Sequence, residues 1–300
     1  MNERVRTCII FNPTARGEKA RHFRRHLGEI GNKSTLKQTA RVEDARRLAT
    51  NAVAEGFEII VAAGGDGTVN EVLNGIADAP GALQRVRLGV LPLGTVNVFA
   101  RELGIPRKLE PAWQTILQAR ETWIDLPSIE YRNDGALRRR HFAQLAGAGL
   151  DARAIELVHW PLKKKIGPLA YVVAGLRALL HPPSKITVSN GDFTTAGELV
   201  LIGNGRLYGG EFRVFPEADI RDGLLEICVF PRVNWLTLTR CCAPLMLRRT
   251  LPPRATRNFQ TASLTLVGSP PAPVEADGEF IGHIPATFSV MRSALRVIVP

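Results

Sequence analysis

The sequence predicts an α/β domain built on a parallel sheet, followed by a mainly antiparallel β domain. Three observations carry that expectation. Phe57-Glu58-Ile59-Ile60-Val61-Ala62 is a short apolar run rich in β-branched residues, as in a parallel strand buried on both faces. Directly after it Val69, Val72, Leu73 and Ile76 recur at helical spacing, so a helix begins near Thr68. Past Pro127 the pattern changes to alternating strands with tight turns. The clearest is Asn190-Gly191, between Lys185-Ile186-Thr187-Val188-Ser189 and Phe193-Thr194-Thr195. The domains are read as residues 1–126 and 127–300, with the last strand a candidate to return to the first.

In chain order, residues 5–11 form a strand and Asn12-Pro13-Thr14-Ala15-Arg16-Gly17 a polar loop after it. Phe23, Leu27 and Ile30 mark the buried face of a basic helix, and a weaker strand at 34–38 and a helix over 42–54 lead to the central strand. The strand at 86–91 is followed by Pro92-Leu93-Gly94-Thr95-Val96-Asn97, with Asn97 placed to cap another helix. A helix over 113–119 and Ile124-Asp125-Leu126-Pro127 close the first domain. In the second, residues 138–145 alternate as one strand, 224–230 and 263–267 read as further strands, and 169–180 as a helical insertion. The Pro-rich stretch 269–273 is read as a loop.

Between the central strand and its helix stand Gly64, Gly65 and Gly67 around one carboxylate, Asp66. Glycines let the backbone turn tightly and approach a ligand closely, and a helix N-terminus offers unpaired N–H groups and a positive dipole end. That combination suits phosphate, and a carboxylate in a phosphate cradle works through a metal. An ordinary strand–helix turn needs only one or two glycines. The stretch is no dinucleotide fingerprint, because Asn70 stands where a third glycine belongs, and no P-loop occurs in the chain.

The run Gly64-Gly65-Asp66-Gly67-Thr68-Val69-Asn70-Glu71-Val72 resembles the G-G-D-G-T signature shared by diacylglycerol-kinase-type lipid kinases, NAD kinases and, more loosely, phosphofructokinases. Its Asn70-Glu71-Val72 continuation looks like the lipid-kinase branch. Asn12-Pro13 with Arg16-Gly17 resembles that family's first loop, and Gly94-Thr95-Val96-Asn97-Val98-Phe99-Ala100-Arg101 its third. Val98 departs from the pattern, which has aspartate there. Further likeness runs through Gly147-Ala148-Gly149-Leu150-Asp151-Ala152, Lys164 to Tyr171, Tyr208-Gly209-Gly210 and Pro216 to Glu226. The resemblance implies a two-domain lipid kinase/NAD kinase-like fold with a β-sandwich second domain, ATP as co-substrate and magnesium. It places Asn12, Arg16, Gly64, Gly65, Asp66, Gly67, Thr68, Glu71, Gly94 and Thr95 at the nucleotide, and Asp125 near the metal–phosphate network.

Phosphoryl transfer to a hydroxyl also needs a base. Val274-Glu275-Ala276-Asp277-Gly278-Glu279 resembles the family's D-G-E motif, and on extended backbone Asp277 and Glu279 would share a face, where paired carboxylates can share a proton. The alternative is a charged hairpin turn with Asp-Gly in its usual role. Asp277, Glu279 and Asp66 are therefore the catalytic candidates. In Asp219-Ile220-Arg221-Asp222-Gly223-Leu224, two aspartates and a backbone carbonyl at Leu224 resemble the family's structural magnesium site. The histidines have no metal-binding spacing, and no hydrolase triad or Gly-x-Ser-x-Gly is present.

The chain of 300 residues has 45% hydrophobic and 22% charged residues, enough for two ordinary globular cores. Lys+Arg 39 against Asp+Glu 28 gives +11, which favours anionic partners. No aromatic–basic interleaving points to nucleic acid. Cys8, Cys228, Cys241 and Cys242 lack metal spacing and read as reduced thiols of a cytoplasmic protein. With no signal-peptide region and no spanning run, a lipid substrate is expected to be met peripherally at the anionic inner membrane surface, through Trp160-Pro161-Leu162-Lys163-Lys164-Lys165 and the apolar stretch 235–247. Oligomeric state is undetermined, with a homodimer possible. Two rival readings are an NAD kinase and a non-catalytic binding homologue, the latter favoured by Val98.

Overall fold

A computed structural model describes residues 5–13, 23, 34–157, 178, 182–248, 251–252 and 256–300. The chain divides into two compact units, Met1–Leu126 with Met291–Pro300, and Pro127–Val290.

In the first unit, β1 (Thr7–Phe11), β2 (Thr35–Gln38), β3 (Ile59–Gly64) and β4 (Arg87–Pro92) form a parallel sheet in the order β2-β1-β3-β4. Every residue of β3 is buried, as its unbroken apolar run requires. Between these strands lie α1 (Asp44–Ala54), α2 (Asp66–Asp78) and α3 (Ala82–Arg85), and after β4 come α4 (Val98–Glu102) and α5 (Leu109–Gln118). α1 and α2 pack so closely that a Cβ on Gly75 would stand 2.2 Å from the Arg46 carbonyl oxygen. Phe23 is fully buried with its ring 4.7 Å from Phe11, while the rest of the expected basic helix lies outside the described residues.

Three boundaries differ from the sequence reading. α1 starts at Asp44, because Glu43 takes a left-handed conformation and the Asp44 carboxylate accepts the Ala40 and Arg41 N–H groups, leaving Val42 exposed. α2 starts at Asp66, because Val69 already donates its N–H to the Gly65 carbonyl. α5 starts at Leu109, since Leu109 and Ala112 carry the buried face a turn upstream.

The second unit takes up β5 (Glu121–Asn133) from Pro127 onward and continues with β6 (Ala136–His141), β7 (Leu145–Gly149), α6 (Leu150–Glu156), β8 (Lys185–Ser189), β9 (Thr194–Gly197) and β10 (Leu199–Gly203). There follow β11 (Leu207–Tyr208), β12 (Phe212–Arg213), β13 (Leu225–Phe230), α7 (Trp235–Arg248), β14 (Arg257–Thr261), β15 (Ser263–Ser269), β16 (Pro273–Ala276), β17 (Glu279–His283) and β18 (Ala286–Ile298). Antiparallel pairing gives one sheet in the order β14-β13-β10-β7-β16-β17. A second runs β18-β15-β8-β9 with β5 and β6 alongside. Ile186, Val188, Leu264, Leu266 and Phe288 of one sheet meet Ala148, Val200, Ile202, Ile227 and Val274 of the other in a shared core. That is a β-sandwich. The opposite face of β10 and β13 is covered as well, by Val214, Phe215, Val233 and Cys241.

The end of β18 belongs to the first unit, where Arg296 and Val297 pair in parallel with Arg87 and Leu88 of β4. The single strand expected over 138–145 is instead broken into β6 and β7, and the reason lies in the Asp277 carboxylate described below. The insertion at 169–180 is described only at Ala178, and Trp160 to Lys165 lie outside the described residues.

Candidate active site

In the first unit, the loops after β1, β3 and β4 meet at the carboxyl ends of the parallel strands, the edge where open α/β sheets bind ligands. Gly65 caps α2 in extended conformation, so Asp66, Gly67 and Thr68 form the first turn of the helix. A Cβ on Gly64 would stand 2.3 Å from Thr68 Oγ1, and one on Gly94 2.5 Å from the Gly65 Cα. The two glycine loops therefore touch backbone to backbone, which only glycine permits. The Leu93 and Gly94 N–H groups both donate to the Gly64 carbonyl, at 2.9 and 3.1 Å. Asn12 joins from β1: its N–H donates to the Ala63 carbonyl and its Nδ2 to Thr68 Oγ1 at 3.2 Å.

Asn97 shapes the third loop, but not as the expected cap. In a left-handed conformation, it accepts the Gly94 N–H through Oδ1 at 3.0 Å and donates Nδ2 to the Gly94 carbonyl at 2.7 Å. Its side chain is thereby turned back on the loop, and it makes no cap bond to α4. Thr95 is left exposed. Asp66 Oδ1 accepts the Phe99 N–H at 3.3 Å, which joins the carboxylate to the start of α4 beside Val98.

Not every candidate lies in this cradle. Glu71 accepts the Ala45 N–H at 3.0 Å, tying α2 to the first turn of α1. Asp125, 1% exposed in β5, accepts the Ser293 N–H at 2.7 Å. Arg16 lies outside the described residues.

In the second unit, Asp277 and Gly278 are the two central residues of the β16–β17 hairpin, both with positive φ (47° and 83°). The backbone is turned there rather than extended, so the expected shared face of Asp277 and Glu279 does not form. Asp277 accepts three backbone N–H groups, those of Ala143 at 2.7 Å, Gln144 at 3.0 Å and Leu145 at 3.1 Å. These bonds take the amides that would otherwise continue the ladder, and so split β6 from β7. Glu279, partly exposed, forms an ion pair with Arg140.

The carboxylates that do pair are Glu275 and Asp151. Glu275 is 1% exposed in β16, and Asp151 opens α6 with its Oδ2 buried. Tyr208 donates its hydroxyl to Asp151 Oδ1 at 2.5 Å, and the Gly278 N–H goes to Glu275 Oε2 at 2.8 Å. Burial, and next the Asp151 charge, push the Glu275 carboxyl well above the ordinary range, against the Gly278 bond. Burial likewise raises Asp151, with the bonds from Tyr208 and Glu275 opposing.

Comparison with known proteins bears on both units. Residues 6–129 match the diacylglycerol kinase catalytic domain family, and residues 144–299 the YegS C-terminal NAD kinase beta sandwich-like domain. The chain joins a diacylglycerol kinase catalytic domain to a YegS-type C-terminal domain. A diacylglycerol kinase of Staphylococcus saprophyticus subsp. saprophyticus is 29% identical over 310 residues, covering 99% of this chain and 96% of the relative. One of Staphylococcus aureus is 29% identical over 308 residues, covering 99% and 93%. Among solved structures, one from Bacillus anthracis str. Sterne superposes with a TM-score of 0.78 at 22% identity, covering 99% of this chain and 98% of that one. A diacylglycerol kinase structure from the same organism gives 0.72 at 20%, covering 100% and 98%. At such identities the structures establish the fold.

The chain is a kinase with an alcohol acceptor, and the acidic turn after β12 is the other expected metal site. Asp219 accepts the backbone N–H and Nε of Arg221, while Asp222 accepts the Leu224 N–H at 2.8 Å. The donors are oxygens on a surface turn, a set that suits a hard, hydrated cation. Nearby Glu226 is raised by burial and then by the charges of Asp222 and Glu217, with the bond from Gln260 opposing. Asp219 and Asp222 are thus oxygen donors of the kind such a cation takes, with Asp219 also paired to Arg221. Among the described residues, no group of three or more His, Cys, Asp or Glu forms a metal centre, and no helix is long and apolar enough to cross a membrane.

The contact that sequence reasoning did not bring together is that of Asp151 and Glu275, with Tyr208 on Asp151. One signal was available: Glu275 interrupts an apolar strand segment between Val274 and Ala276, and glutamate is rarely buried unless paired.

Proposed function

We propose that this lipid kinase transfers the γ-phosphate of ATP, with magnesium, to a hydroxyl of a lipid such as diacylglycerol or a sphingoid lipid. The lipid is met at an anionic membrane surface. The observation that carries the reading is the convergence of Asn12, residues 64–68 and Gly94 on one sheet edge, with the glycine backbones in contact.

In the first unit, the N–H groups of the α2 first turn and the Thr68 and Thr95 hydroxyls hold phosphate oxygens. Asp66 lies at that same helix start and is the carboxylate placed to hold a metal ion. Magnesium, when bound, offsets the charge of the phosphates and of the transferring group. Asp125 and Glu71, each holding a backbone N–H of another element, serve as struts. In the second unit, Asp277 has its oxygens on three amides, so Glu279 is the carboxylate we assign to accept the acceptor hydroxyl's proton. As that O–H bond breaks, the hydroxyl oxygen bonds to the γ-phosphorus and ADP leaves. Asp219, Asp222 and Leu224 would hold a structural magnesium ion.

The test is magnesium-dependent transfer of labelled γ-phosphate from ATP into an organic-extractable product, over a panel of lipids, with NAD as the control acceptor. Label is expected in a lipid and not in NAD. Label in NAD alone, or in no lipid of the panel, overturns the reading.

A further inference from the structure

The Asp151–Glu275 pair is used by no step above, although Glu275 is 1% exposed and Asp151, half-buried as a residue, turns a buried Oδ2 toward it. The outer oxygen of each carboxyl is taken, Asp151 Oδ1 by the Tyr208 hydroxyl and Glu275 Oε2 by the Gly278 N–H. The inner oxygens, Asp151 Oδ2 and Glu275 Oε1, are buried and, among the described residues, have no hydrogen-bond partner other than each other. Both approach one point, each 3.2 Å from where a Cβ on Gly147 would stand. Gly147 is paired across the strands with Glu275, and the absence of a side chain there makes room for both. Two acceptor oxygens brought together out of water repel unless a hydrogen lies between them.

We propose that Asp151 and Glu275 hold one proton between them, and that this proton makes them positioning residues for the Asp277-Gly278-Glu279 turn. The connection is direct. Glu275 holds the Gly278 amide, Gly278 is the turn's apex, and Asp277 beside it gathers the amides of Ala143, Gln144 and Leu145. Two ionised carboxylates would push Glu275 from Asp151 and take Gly278 with it. The groups that act on the pair are Tyr208, which donates to Asp151, and Asp277, whose charge adds to the repulsion on Glu275. Of the other titratable groups on α6, Arg153 is paired with Glu156, and on β17 Glu279 is paired with Arg140. Neither cation is among the groups that shift the pair. The pair's proton stays in the folded protein at pH values where the unfolded chain has released it. The stability it brings is full below the ordinary carboxylate range, about 4, and is lost as pH rises through the raised folded values.

The proton is read by stability, without activity. Denaturant unfolding of the parent, Glu275→Gln and Asp151→Asn is measured from pH 4.5 to 8. An amide donates the missing hydrogen without titrating. The parent's folding constant is expected to fall, relative to either variant, by about tenfold per pH unit while one extra proton is bound. Parallel curves overturn the shared proton, and so does a pair that binds a cation instead, recognised by parent stability rising with sodium but not with choline chloride.

Positioning is read by turnover and by amide exchange. The turnover arm rests on the lipid-kinase reading. Glu275→Ala is expected to lower kcat tenfold or more with the KM for ATP unchanged, while Glu275→Gln restores most of it. Full turnover in Glu275→Ala overturns positioning. Should Glu275→Ala not fold, Tyr208→Phe replaces it, with a smaller loss of kcat expected. The second readout is hydrogen exchange at the Ala143, Gln144 and Leu145 amides, expected at least tenfold faster in the disrupted variant and at the parental rate in Glu275→Gln. If the parent phosphorylates no lipid, the kinase reading fails while stability and exchange still decide this proposal. Unchanged exchange overturns it.

Discussion

Asp66 starts α2 with one oxygen on the Phe99 amide, so asparagine there keeps the size and one acceptor but loses the charge. Asp66→Asn is expected to lower kcat/KM on the order of 100-fold or more with an unchanged melting temperature. Retained activity in the folded variant removes Asp66 from the mechanism. Val98 stands next in chain to that same amide, half-buried at the first position of α4. A valine there leaves the Gly94–Asn97 clamp intact, so the parent is expected to be active and Val98→Asp to change metal or acceptor preference more than rate. No turnover by the parent on several lipid acceptors, with activity in Val98→Asp, reverses that expectation. Cys8, buried in β1, is pushed from 9.0 to about 11 by burial, with Lys37 opposing. A raised thiol pKa gives stability that is complete below pH 9.0 and lost as pH climbs through about 11. Cys8→Ala should therefore flatten the alkaline loss of stability, at a cost near 1 kcal/mol at neutral pH. An unchanged alkaline limb shows that Cys8 does not titrate in unfolding.

At the scale of elements, two glycines separate loop geometry from helix packing. Gly94→Ala forces the β3 and β4 loops apart, because the new Cβ meets the Gly65 Cα at 2.5 Å. Gly75→Ala drives its Cβ into the Arg46 carbonyl and separates α1 from α2 instead. Each should destabilise by roughly 1–3 kcal/mol. Only Gly94→Ala should also raise the KM for ATP, by tenfold or more. Equal KM values in the two variants, at comparable stability, detach the loop contact from nucleotide binding. The break between β6 and β7 belongs to the same scale, since one turn residue, Asp277, takes the three amides that would have continued a strand.

For the whole molecule, a net charge of +11 gives a long-range attraction to anionic surfaces. Trp235 and Leu236, 57% and 56% exposed at the start of α7, add apolar surface beside Arg232 and Arg240. Binding to vesicles is expected to rise with anionic lipid content and to fall with salt, as exposed charges are screened over about 10 Å at 0.1 M. Trp235→Ala should weaken it further. Binding that is equal on neutral vesicles in high salt points to apolar docking alone.

What the sequence determined by itself is what neighbouring residues decide among themselves. A β-branched run followed by glycines and a 3.6-residue period specifies strand, loop and helix locally, and that made the parallel sheet, the glycine loops and the likeness to the lipid kinases legible. The hairpin at Asn190-Gly191 was legible for the same reason, and in the structure Asn190 Oδ1 accepts the Asp192 and Phe193 N–H groups. Tertiary structure alone decided which carboxylates meet. Asp277 reaches amides 132 to 134 residues away, and Asp125 one 168 residues away. No period or propensity encodes such separations. Asp277 and Glu279 looked paired because they are close in sequence, but an Asp-Gly turn points them apart. Glu275 and Asp151 meet because β16 packs against β7 where Gly147 leaves space, a contact that exists only once the sheet has formed.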